Sequence, residues 1–85
     1  MAIWKVEVTD TFGGEANYSW VHRHKIDPAT LRKHQGTQAL HRLLVRKAKK
    51  LEGWTGILCD TLDHGDMIEV RPKGKCLVMF ITQDI

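Results

Sequence analysis

Eighty-five residues with a formal net charge of +3 suffice for one domain, residues 1–85, with a single core, since so short a chain hides only about 60–65% of its unfolded surface. An apolar content of 42% with aromatics throughout excludes a disordered tail. No apolar run reaches the roughly 18–20 residues that span a bilayer, the N-terminus does not read as a signal peptide, and two cysteines are too few for a disulfide framework. The expectation is a cytoplasmic protein without a membrane partner, with Cys59 and Cys76 reduced and buried.

In chain order, Trp4, Val6 and Val8 alternate with Lys5, Glu7 and Thr9, the period-two pattern of a half-buried strand. Gly13-Gly14 supplies the positive φ angles of a tight turn, and a return strand follows over Ala16 to His24. Strict alternation puts Ala16, Tyr18, Trp20 and His22 on one face of that strand and Asn17, Ser19, Val21 and Arg23 on the other. Asp27-Pro28 reads as a helix start, an aspartate cap followed by a proline whose missing donor costs nothing there. Gly36 interrupts it, so a short helical turn or a loop is expected there. Thr37 then caps the main helix, where Leu40, Leu43, Leu44, Ala48 and Leu51 recur at the spacing of one apolar stripe. Gly53 ends this helix in the left-handed conformation, with Trp54 packing back on the last turn.

Three more strands follow, Gly56 to Leu62, Met67 to Arg71 and Cys76 to Thr82, separated by turns at Asp63-His64-Gly65 and Pro72-Lys73-Gly74. The order ββαβββ predicts a two-layer α+β fold, an antiparallel five-stranded sheet with one long helix across it. The last strand is apolar on both faces: Cys76, Val78 and Phe80 on one, Leu77, Met79 and Ile81 on the other. One helix of about four turns covers a single side of a sheet. The other side is met either by a homodimer through the sheet or by a strongly coiled sheet that shields itself.

The charge is unevenly distributed. Residues 21–50 carry nine cations against the single acid Asp27, a net +8, while the other 55 residues carry four cations against nine acids, a net −5. Arg42, Arg46, Lys49 and Lys50 stand at i, i+4, i+7 and i+8 and so share one helix face, where like charges cost a few tenths of a kcal/mol. Arg23 and Lys25, at the end of the second strand, extend the patch if that end lies near the helix. Fixed cations in this pattern suit phosphates, whose condensed counterions they displace. About five neutralised phosphates on duplex DNA give a slope of log affinity against log salt near −4.5. An acidic protein surface is the alternative partner, and a merely solvated helix the third reading, since Lys49 and Lys50 also suit the negative end of the helix dipole.

Sequence-specific modules are not evident: no zinc-finger spacing, no helix-turn-helix pair, no aromatic sheet signature, so binding is expected to be mainly to the backbone. Tyr18 and Trp20 are read as core residues, with base stacking the alternative if their face is open. His22 and His24 have an i, i+2 spacing that zinc sites use, but nothing near them in sequence completes a ligand set, so no metal or cofactor is expected. Ser19 points away from His22 on a strand, which removes a local nucleophile-base pair, and no catalytic constellation is assembled. The expectation is a non-enzymatic protein.

The segment from Val6 to Val21, VEVTDTFGGEANYSWV, and the helix end from Arg46 to Gly56, RKAKKLEGWTG, resemble short uncharacterised proteins of bacteriophages, prophages and plasmids of proteobacteria. The resemblance implies an accessory protein of a mobile element and transfers no catalytic residue. Two functional expectations result: contact with DNA or RNA phosphates through Arg23, Lys25, Arg42, Arg46, Lys49 and Lys50, or an effector that uses the same face to bind an acidic surface of a host protein.

Overall fold

Alternating residues and glycine turns fold as their patterns dictate. A computed structural model of the chain describes residues 3–28, 31 and 36–84. Among these are strands β1 (Ile3–Phe12), β2 (Glu15–Ile26), β3 (Cys59–Asp63), β4 (Met67–Pro72) and β5 (Leu77–Asp84), and one helix, α1 (Gly36–Leu51). All neighbouring strands are antiparallel, in the spatial order β2-β1-β5-β4-β3. The fold is therefore the expected α+β arrangement, and the helical connection carries the chain from one edge strand of the sheet to the other.

The ladder assigns the two faces. Val6 stands beside Ile81, Val8 beside Met79, Ile68 beside Ile81 and Val70 beside Met79. These side chains, with Trp4, Ile26 and Trp54, form the core with Leu44 and Ala48 of α1. The buried seam of α1 is rotated from the predicted leucine stripe: His41, Leu44 and Ala48 are buried, Leu40, Leu43 and Val45 are half-buried, and Leu51 is 39% exposed. His41 takes a place that pattern alone gives to leucine. Its Nδ1 lies 2.5 Å from Asp63 Oδ2, and its ring meets Trp4 edge-on at 5.5 Å.

The end of α1 has the hydrogen bonds of a Schellman motif. The Trp54 amide donates to the Lys49 carbonyl at 2.7 Å and the Gly53 amide to the Lys50 carbonyl at 3.2 Å, while Gly53 adopts φ +76°, which costs a residue with a Cβ more than it costs glycine. At the Asp27-Pro28 start, Leu31 donates its amide to the Pro28 carbonyl; residues 29–30 and 32–35 of that segment lie outside the described residues. Cys59 is half-buried, but Cys76 is exposed in the turn before β5, not buried as expected. No helix among the described residues is long and apolar enough to cross a membrane.

The β1–β2 hairpin departs from simple alternation. Thr9 pairs with Val21 but Thr11 pairs with Ala16, so Asp10 alone stands opposite the four residues 17–20, an extended bulge. Asp10 holds it: its carboxylate accepts bonds from the Asn17 amide side chain (2.9 Å), the Ser19 hydroxyl (2.6 Å) and the Ser19 backbone N–H (3.1 Å). The Thr9 hydroxyl accepts from the Tyr18 amide and donates to Asp10. At its centre Tyr18 adopts φ +57°, a left-handed conformation costing a non-glycine residue about 1–2 kcal/mol.

Candidate functional site

Helix geometry sets the outer face of α1. With His41, Leu44 and Ala48 turned inward, Arg42, Arg46 and Lys50 are turned to solvent, because residues four apart stack on one face. None of these three has an acidic partner among the described residues. Lys49 is half-buried at the side of the face and donates from Nζ to the Ile57 carbonyl at 2.8 Å. That bond draws the loop after the helix alongside α1 and leaves a shallow cleft of about 220 Å³ lined by Arg42, Val45, Arg46, Lys49, Thr55 and Gly56. Among the described residues three cations border this cleft and no carboxylate does.

Arg23 and Lys25 do not join this set. Across the ladder His22 and His24 stand beside Val8 and Val6, on the helix side, so Arg23 and Lys25 point to the sheet's other face, beside Glu7 and Lys5. The patch read as continuous in the sequence is split between opposite sides of the sheet. Arg23 Nε bonds Glu7 Oε2 at 3.3 Å. Lys25 and Lys5 face each other directly, and neither has an ion pair among the described residues.

On the helix side, sequence spacing left His22 and His24 without a carboxylate, and the fold supplies one from 30 and 28 residues away. Glu52, just past α1, bonds His22 Nδ1 through Oε1 at 2.9 Å and His24 Nε2 through Oε2 at 2.6 Å. Burial opposes ionisation of Glu52, but the hydrogen bonds and charges of the two imidazoles outweigh it and hold the carboxyl below its ordinary value. Among the described residues no group of three or more His, Cys, Asp or Glu is disposed to hold a metal ion. The cluster ties β2 to the helix end. The Ser19 hydroxyl, in turn, is engaged by Asp10, whose carboxyl is lowered to about 2 mainly by the Ser19 and Asn17 side-chain hydrogen bonds.

The sheet's second face is neither bare nor fully covered. Val78 and Thr9 are buried there, and the hairpin tip is drawn over the sheet by a bond from Arg71 Nη1 to the Gly14 carbonyl. Beside them lies a hollow of about 210 Å³ lined by Glu7, Thr9, Tyr18, Val21, Met67, Phe80 and Thr82. Tyr18, read as core, is 60% exposed at its edge. Alternation had grouped it with Trp20 and His22; the bulge sends Tyr18 to the opposite side and leaves Trp20 packed on the His22 ring, 4.7 Å between centroids.

No protein-family model matches the chain, and neither a curated protein nor a solved structure matches it.

Proposed function

We propose that the chain binds nucleic acid by its phosphates, using the outer face of α1. The observation that supports this is the cleft beside the helix, bordered by Arg42, Arg46 and Lys49 and, among the described residues, by no carboxylate, and continued along the helix by Lys50. Arginine forks suit phosphate oxygens bidentately. Cations fixed on a packed helix release counterions from a polyanion without first having to be ordered. Because the contacts reach phosphate and not base edges, the affinity is salt-dependent and nearly independent of sequence.

Lys49 contributes with part of its donor capacity, since one N–H is spent on Ile57. The protein in this reading is a non-enzymatic accessory of a mobile element, the context implied by the resemblance of its hairpin. The test is binding of a labelled duplex across a salt series, by the native chain and by Arg42→Glu/Arg46→Glu. A host protein recovered from nuclease-treated lysate in place of any nucleic acid, and lost on the same charge reversal, makes an acidic protein surface the partner.

A further inference from the structure

We infer that the hollow on the open face of the sheet receives an unpaired nucleobase, with Lys5 and Lys25 holding the adjoining phosphates, so that the preferred ligand contains a single-stranded segment. This deepens the nucleic-acid reading above and rests on it.

Tyr18 carries the argument first. A left-handed φ at a bulky residue is a strained state that persists only when its surroundings over-determine it. Here Thr9 and Asp10 do so, bonding the backbone and side chains of residues 17–19. The result is a largely exposed phenol ring held at the rim of the hollow, instead of the buried ring that alternation predicts. Phe80 lies at the centre of the face, between Glu7 of β1 and Glu69 of β4 in the ladder, and lines the same hollow with Val21 and Met67. Aromatic rings presented on an open sheet are stacking surfaces, and every base has a face to stack.

Size and rim chemistry narrow the ligand. At about 210 Å³ the hollow is smaller than the roughly 300–1,000 Å³ of sites that enclose a whole small molecule, and it suits one ring system of a longer polymer. Its rim carries the Thr82 hydroxyl and the Glu7 carboxylate; a carboxylate accepts from exocyclic amino groups of bases.

Charge supplies the second, independent observation. Like charges directly opposite in a sheet are destabilising, yet Lys5 faces Lys25 and neither has an ion pair among the described residues. Two acids of this face are already matched, Glu7 with Arg23 at 3.3 Å and Glu69 with Arg71 at 2.6 Å. Among the described residues the lysine pair is thus charge without an ion pair beside the hollow, and Lys5 adjoins Thr82 of its rim across the β1–β5 ladder.

The experiment measures fluorescence anisotropy of a labelled single-stranded oligonucleotide and of a blunt-ended duplex, with the native chain, Tyr18→Ala, Tyr18→Phe and Lys5→Glu/Lys25→Glu, each shown folded by circular dichroism. Tyr18→Ala keeps a residue with a Cβ at the same φ and removes only the ring. It is expected to weaken single-strand binding roughly 5- to 150-fold, the range for losing one stacked base, and to leave duplex binding within twofold. Tyr18→Phe retains single-strand affinity. The lysine reversal weakens single-strand binding and flattens its salt slope by at least about 1.4, two contacts at 0.7 each. The inference is overturned if Tyr18→Ala binds single strands as the native chain does, or if the native chain binds the duplex alone, an outcome that leaves the helix reading standing. If it binds neither nucleic acid, both fall.

Discussion

His24 Nε2 lies 2.6 Å from Glu52 Oε2, a bond between the edge strand β2 and the first residue past α1. His22 takes the other oxygen of the same carboxylate. The hairpin, formed early in the chain, is thereby fastened to the end of the helix that crosses the sheet. Glu52→Ala leaves both imidazoles without their acceptor and is expected to cost about 1–3 kcal/mol. Urea denaturation measures the loss, and hydrogen exchange locates it: amides of residues 21–26 exchange faster, while those of β5 follow only the global stability.

Acid sensitivity follows from three carboxyls. Asp10 is lowered from 3.8 to about 2, and Glu52 and Asp63 also lie below their ordinary values. For Asp63 the leading cause is the His41 hydrogen bond, followed by the Gly65 amide. Each carboxyl binds its proton more readily in the unfolded chain. Their stabilisation is therefore complete above the unfolded values of 3.8 and 4.5 and is lost as pH falls through the lower folded values. The urea midpoint is expected to be lower at pH 3 than at pH 6, and Asp10→Asn to flatten this decline. Equal midpoints at the two pH values would contradict the assignment.

The His41–Asp63 pair separates a buried partner from an exposed one. His41 is 6% exposed, whereas Asp63 belongs to an edge strand and reaches solvent. Asp63→Ala strands the buried imidazole nitrogen, at a cost of about 1–3 kcal/mol. His41→Leu removes the need for the bond, extends the apolar seam with Leu44 and Ala48, and leaves Asp63 free to hydrate. It is expected to be clearly the milder change in thermal denaturation, although it loses the edge contact with Trp4.

Much of this fold is legible in residue patterns because its determinants are local. The alternation of Trp4, Val6 and Val8, the paired glycines at 13 and 14, and the Gly53-Trp54 helix stop each specify their element within a few residues. Where reading failed, a side chain at a distance decided the outcome. Tyr18 departs from alternation because Asp10 captures Asn17 and Ser19 across the hairpin and stabilises three extra residues in β2. His41 enters the core because Asp63, 22 residues away, satisfies its nitrogen.

The candidate site was legible to a similar extent. Helical spacing alone aligns Arg42, Arg46 and Lys50, and it holds. Whether Arg23 and Lys25 join them depends on which side of β2 meets the helix, and that is fixed by the long-range register of Val6 and Val8 with His24 and His22. The hollow draws on β1, β2, β4 and β5, so no segment of sequence announces it.

The claim that the outer face of α1 binds nucleic-acid phosphates is tested most directly by duplex affinity between 50 and 200 mM salt, at about four concentrations chosen for a linear log–log fit. With Arg42, Arg46, Lys50 and part of Lys49 engaged, the slope is expected near −3, shallower than the −4.5 that five contacts give, and Arg42→Glu/Arg46→Glu should reduce it by about 2 without lowering the urea midpoint. A native slope near zero, or a slope that the double reversal leaves intact, would contradict it.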